Sequence, residues 1–244
     1  MSNKKPRTRL YINCGFKKGD MHLIEGNQGH YLVNVLRVKE DETLTIFNGF
    51  DGEWDARVVK VGKGKATISI NQKIAGQTSE PDLWYMYAPV KKARVDYIIQ
   101  KATELGVRKI IPVVTKRTNL DRVKPEKLVA NAIEAAEQSG RMTVPLIEDL
   151  ISLEDILGEW PADRVLLFCD EKGEALQMKD INPDYDKWAI LIGPEGGFSP
   201  EERDMIKNHK NAYAVTLGPR ILRADTAAVS ALTLWQVYFG DWGA

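Results

Sequence analysis

Residues 191–202, LIGPEGGFSPEE, decide how the rest of the chain is read. An apolar run stops at Gly193-Pro194, Gly196-Gly197 follows, and Ser199-Pro200-Glu201-Glu202 has the make-up of a helix start. Ser199 is suited to cap that helix, Pro200 to its first turn, and the two glutamates to its positive end. A strand that turns into a helix in this way belongs at the C-terminal edge of a sheet, where open α/β folds bind ligands. The glycines leave backbone N–H and C=O groups bare for close approach. A tight structural turn has the same composition, so the loop alone names no ligand. It does argue against phosphate-rich ones. The loop is not G-x-G-x-x-G, the chain has no G-x-x-x-x-G-K-[ST], and Glu195, Glu201 and Glu202 repel a polyphosphate.

A second loop of the same kind follows the next strand: LGPRILRADTAA, residues 217–228. Two consecutive strands therefore end in Leu/Ile-Gly-Pro. The second loop adds Arg220 and Arg223, with Asp225 or Thr226 as the expected helix cap. Such a pair suits a small polar ligand clamped by backbone hydrogen bonds.

Around these loops strands and helices alternate. LWYMYAPV (83–90), KIIPVVT (109–115), RVLLFCD (164–170), WAILIG (188–193) and AYAVTLG (212–218) read as buried strands. RVDYIIQKATELGV, KPEKLVANAIEAAEQSG, SPEERDMIKNH and TAAVSALTLWQVYFG read as helices, two of them stopped by Gly106 and Gly140. The alternation predicts a largely parallel sheet covered on both faces. Before residue 78 the pattern changes. Short strands RLYIN, ETLTIFNG, EWDARVVKV and KATISINQKI surround one helix, HYLVNVLRV, and Gly62 and Gly64 supply a hairpin turn. This predicts a small β-barrel domain over 1–77, a polar linker near 75–82, and an α/β domain over 78–244.

Composition narrows the function. The chain has 244 residues, and Lys+Arg and Asp+Glu balance at 34 each, so any nucleic-acid surface is a local patch. Its two cysteines, Cys14 and Cys169, lack metal spacing; with no signal peptide or bilayer-spanning run in view, a cytoplasmic protein without membrane or metal is expected.

IGPEGGFSPEE and LGPRILRADTAAVSAL resemble the two C-terminal signatures of the RsmE family in the SPOUT superfamily. RTRLYIN, HYLVNVLRV, QKATELGV and IEAAEQSGRMTVP match its earlier motifs in order, so the resemblance spans the chain. It implies an S-adenosylmethionine-dependent methyltransferase acting on N3 of a uridine in 16S ribosomal RNA of the small subunit. It also implies a deep trefoil knot in the SPOUT domain, a PUA-like RNA-binding domain before it, and a homodimer. Under this reading Ile192, Gly193, Pro194, Glu195, Gly196 and Gly197 from the first loop hold the cofactor. Leu217, Gly218, Ile221, Leu222 and Arg223 hold it from the second.

The chemistry asks for a cation where uridine O2 and O4 gain charge and for an acceptor of the N3 proton. Arg223 is the expected cation; Asp225 and Glu137 are the candidate acceptors, with an N-cap role equally open to Asp225. For RNA, the basic start with Arg7 and Arg9 is joined by His30, Arg37, Lys91 and Arg94, a run that as a bare pattern equally describes a solvated face. The last helix carries Val229, Leu232, Leu234, Trp235, Val237, Tyr238 and Phe239 on nearly every side, and a helix apolar all round needs cover all round. An RNA-binding assembly protein with a non-catalytic knot domain is the alternative. Intact cofactor loops argue against it.

Overall fold

The structure is a computed structural model and describes residues 8–90, 92–118, 123–170, 175–181 and 185–243. It falls into two units. One comprises the described residues up to Ser79 together with Ala136–Thr143; the other comprises Glu80–Ala135 with the described residues from Val144 onward.

The first unit holds β1 (Arg9–Tyr11), β2 (Met21–Ile24), α1 (Gly26–His30), β3 (Thr43–Phe47), β4 (Glu53–Gly62) and β5 (Lys65–Ala75). Their order is β1-β3-β4-β5-β2, with β1 parallel to β3 and the other pairs antiparallel. β4 and β5 meet in the two-residue turn Lys63-Gly64, with Gly64 at φ +68° as the expected hairpin requires. Alternation along β5 sends Ala66, Ile68 and Ile70 into a core with Leu10, Leu32, Leu44, Ile46 and Val58. Among the described residues the ladder runs from β1 to β2, strands of three and four residues between which no pairing is recorded. One expectation needs correction. The helix starts at Gly26 instead of His30 and continues as a π-helical segment, Tyr31–Val35, with Leu36 N donating to Tyr31 O at 2.9 Å.

The second unit is α/β. Its elements are β6 (Asp82–Tyr87), α2 (Lys92–Glu104), β7 (Lys109–Val114), α3 (Pro125–Ser139), β8 (Leu146–Ile147), β9 (Ile151–Ser152), α4 (Leu153–Gly158), β10 (Arg164–Cys169), β11 (Leu176–Gln177), β12 (Lys187–Ile192), α5 (Pro200–Lys207), β13 (Ala212–Thr216) and α6 (Ala224–Tyr238). The last residues of α3 count with the first unit. Sheet order is β11-β13-β10-β12-β6-β7-β8, with β9 also on β7, and every recorded pair is parallel. One face, including Leu83, Tyr85, Tyr87, Val165, Leu167 and Ile190, packs with α2, α3 and α6. The other, with Met86, Leu166, Phe168, Ala189 and Leu191, packs with α4 and α5. Full burial of a Leu or Ile side chain contributes about 1.5–3 kcal/mol, so these two clusters hold the layers together.

β12 and β13 are consecutive in sequence but lie on opposite sides of β10. The chain then returns, and α6 packs on β12 and α2, with Trp235 edge-on to Trp188 at 6.1 Å and Gln236 Nε2 donating to Leu105 O at 2.7 Å. The C-terminal ends of β10, β12 and β13 thereby converge, and the two glycine loops come together there.

Candidate functional site

The first loop leaves β12 at Ile192 and turns tightly. Gly197 N donates to Pro194 O at 2.8 Å, with Gly197 at φ +66°, a conformation that favours glycine. Ser199 then caps α5 as expected, in a full capping box: Glu202 N donates to Ser199 Oγ at 3.2 Å and Ser199 N to Glu202 Oε2 at 2.8 Å. The other Glu202 oxygen accepts from Lys116 N at 2.6 Å, and Arg117 Nη1 donates to Gly196 O at 2.6 Å. Residues just after β7 thus brace the loop from outside.

The second loop leaves β13 at Thr216. Gly218 has φ +107° and donates its N–H to Thr216 Oγ1 at 3.2 Å; a methyl group there would meet no atom within 4 Å. The N-cap of α6 is Arg223, with extended backbone and no side-chain cap. This corrects the expected cap at Asp225 or Thr226. The helix already begins at Ala224, so both lie inside its first turn, and Asp225 Oδ1 instead accepts from Thr226 N at 2.9 Å.

Between the loops lies a cavity of about 400 Å³. Ile192, Gly193, Pro194, Glu195 and Gly197 line it from the first loop, and Leu217, Gly218, Ile221, Leu222 and Arg223 from the second. Gly196 is outside the lining and faces Arg117. Residues not foreseen are Cys169, Asp170, Thr216 and Arg203. Asp170 follows β10 directly, and its side chain is 4% exposed and paired with Arg203 at 2.6 Å. The only sequence signal for it is its place just after an apolar strand, at the edge where such sheets bind ligands. Burial pushes the Cys169 thiol up to about 12, which keeps it a neutral wall of the cavity at physiological pH. Arg220 and Arg223 stand exposed at the cavity, and their side chains make no ion pair or hydrogen bond with the described residues.

The other expected residues go elsewhere. Glu137, a candidate proton acceptor, has its carboxylate engaged inside the first unit, where Oε1 accepts from Tyr11 N at 2.9 Å and from Gln28 Nε2 at 3.4 Å. Arg9 belongs to the same unit and is no open phosphate ligand. It pairs with Glu53 at 2.5 Å, donates to the carbonyls of Ala136, Glu137 and Arg141, and lies over the Phe47 ring. His30 and Arg37 are exposed, His30 beside Asn34 at 2.8 Å and Arg37 in the left-handed region at φ +55°. Arg94 bonds to Glu195 of the first loop. Arg7 and Lys91 lie outside the described residues. Among the described residues no group of three or more His, Cys, Asp or Glu is placed to hold a metal, and no helix is long and apolar enough to cross a membrane.

Known proteins share this arrangement. Residues 78–236 match the family model of an RNA methyltransferase domain, and residues 24–71 match an RNA methyltransferase PUA domain. The ribosomal RNA small subunit methyltransferase E of Rickettsia conorii is 33% identical over 235 residues, 92% of this chain and 93% of that one. The crystal structure of the enzyme of that name from Neisseria gonorrhoeae, bound to S-adenosyl methionine, superposes with a TM-score of 0.88 at 29% identity, covering 97% of this chain and all of the other. A Legionella pneumophila protein solved with the cofactor SAM bound gives a TM-score of 0.90 at 28% identity over 97% of this chain and 100% of that one. With a family model covering most of its length and relatives aligned nearly end to end, this chain belongs to the ribosomal RNA small subunit methyltransferase E family of RNA methyltransferases.

Proposed function

We propose that the protein methylates small-subunit ribosomal RNA with S-adenosylmethionine as donor, and that its target is N3 of a uridine in 16S RNA. The observation that carries this reading is the cavity: two glycine loops with bare backbone and an apolar slot, with Arg220 and Arg223 beside it, unpaired among the described residues. The residues fit the cofactor. Backbone groups of Gly193, Gly197, Leu217 and Gly218 would hold its adenosine, Ile192 and Leu222 would flank the base, and the Glu195 carboxylate stands on the first loop's side of the wall. When bound, S-adenosylmethionine supplies a methyl group on a positively charged sulfur.

Transfer to nitrogen is an in-line displacement, so the chain's work is positioning and charge. The N3 proton of the uridine passes to Asp225, whose Oδ2 makes no hydrogen bond with the described residues while Oδ1 is held by Thr226 N. The negative charge left on O2 and O4 is met by the Arg223 guanidinium. The target base must be unpaired or flipped out of its stack to reach the cavity.

The finer assignments belong to the same proposal. A trefoil knot in the C-terminal chain is part of the same proposal, supported by a path that runs out to β13 beyond β10 and back to β12 through α6. Residues 1–77 supply RNA affinity, through exposed His30 and Arg37 and through Arg7, and 78–244 supply methyl transfer, with Lys91 as a further phosphate contact. Two copies pair through α6, where Val237, Tyr238 and the following Trp242 are exposed. Two free cysteines in place of a disulfide framework suit a cytoplasmic site of action. Purified protein, labelled S-adenosylmethionine and either naked 16S RNA or small subunits test the reaction. Mass mapping should find a single 3-methyluridine in at least one substrate; no transfer to either rejects the reading.

A further inference from the structure

Arg94 projects from the first turn of α2, bonds to the first loop of the cavity and lies near the start of α6 just after the second. Its Nη1 donates to Glu195 Oε1 at 2.9 Å, and its Nε lies 4.0 Å from Asp225 Oδ2. Glu195 lines the cavity from the first loop, and Asp225 is in the first turn of α6, directly after the second loop. We infer that Arg94 is a positioning residue for methyl transfer, a single guanidinium that holds the two cofactor loops in register and aims the Asp225 carboxylate. The inference rests on the cavity being the S-adenosylmethionine site.

The other braces do less. Among the described residues Arg117 bonds to Gly196, and Lys116 reaches Glu201 and Glu202; all three lie in or just after the first loop. Arg94 alone among the described residues is shared between a carboxylate of the first loop and one at the end of the second. The Glu195 contact is a true hydrogen bond, whereas the Asp225 contact is an attraction across 4.0 Å that leaves Asp225 Oδ2 without a hydrogen bond among the described residues. Without Arg94 those carboxylates lose their common counter-ion, and the tip of the first loop loses its tie to α2.

The guanidinium is 31% exposed, and exposed ion pairs contribute little to global stability, so variants at this position should fold. A phosphate contact to RNA is the competing role, and the two roles predict different readouts. Arg94→Gln, Arg94→Lys, Glu195→Gln and the Arg94→Gln/Glu195→Gln double variant are compared with wild type. Calorimetry gives the S-adenosylmethionine Kd, steady-state kinetics give kcat and KM, and RNA binding is measured against salt. A loop-positioning Arg94 makes Arg94→Gln raise the cofactor Kd on the order of tenfold and lower kcat, with the salt slope of RNA binding unchanged. Arg94→Lys should recover part of the loss, and the double variant should be less impaired than the sum of the singles. A salt slope reduced by about one with unchanged cofactor Kd makes Arg94 a phosphate contact and overturns the inference. Additive single effects overturn it as well. Failure of the wild type itself to bind S-adenosylmethionine is a separate result, and it removes the reading of the cavity on which the inference rests.

Discussion

Arg9 and Arg223 look alike in the sequence and are put to opposite uses. Arg9 is 15% exposed, ion-paired with Glu53 and bonded to three carbonyls. Removing it leaves Glu53 without that partner and strands those acceptors. Arg9→Ala is therefore expected to destabilise the first unit by about 3 kcal/mol, seen as a lower denaturation midpoint, while any loss of RNA binding follows unfolding. Arg9→Lys should not restore it, because an ammonium cannot reproduce the planar fork. Arg223 is exposed at the cavity and unpaired among the described residues. Arg223→Ala should leave the melting midpoint nearly unchanged, as surface substitutions do. In single-turnover assays it should slow methyl transfer by about 10²-fold or more, the usual cost of removing one charge-stabilising donor. A slow but unstable Arg223→Ala protein would assign the residue to folding instead.

At the scale of elements, the start of α5 is written in adjacent residues and was read correctly, because a capping box is local chemistry. The start of α6 was misread. Asp225 and Thr226 have good capping side chains, yet the packing of Ala224, Ala227 and Ala228 against the sheet begins the helix earlier. The start of α5 also predicts a titration. The hydrogen bond from Ser199 Oγ, then backbone and Lys116 contacts, hold the Glu201 carboxyl down from an ordinary 4.5 to about 2. A depressed carboxylate stabilises the fold fully above its unfolded value and loses that contribution as pH falls from about 4.5 towards 2. Carboxyl NMR should place the Glu201 midpoint near 2, and Ser199→Ala should raise it. An unshifted midpoint in that variant would deny Ser199 the leading part.

At the scale of the whole molecule, α6 raises the question of assembly. Its Leu232 and Trp235 are buried within the chain and Phe239 stacks on Trp188 at 4.5 Å, but Val237 and Tyr238 stay exposed. Sedimentation across micromolar concentrations should show a dimer, and Tyr238→Glu with Val237→Glu should shift it to monomer and reduce methylation before the fold is lost. A wild-type enzyme that is monomeric and fully active rejects the pairing. The long strands and helices of the α/β unit were legible because each rests on a short-range pattern: apolar runs for β6, β10 and β12, glycine stops for α2 and α3, a capping box for α5; β8, β9, α4 and β11, of two to six residues, were not. The two loops were legible for the same reason, and their motifs carried the family resemblance. β2 was not, since four residues are too few to show alternation. Asp170 and Arg203 were missed because a salt bridge between strand end and helix has no fixed spacing in sequence. The sequence by itself determined the long strands and helices of the α/β unit, the two glycine loops and the family. Only the tertiary structure decided that Glu137 and Arg9 serve the first unit and that Arg94 turns to Glu195, because which neighbour an ionisable group meets depends on contacts between residues far apart in the chain.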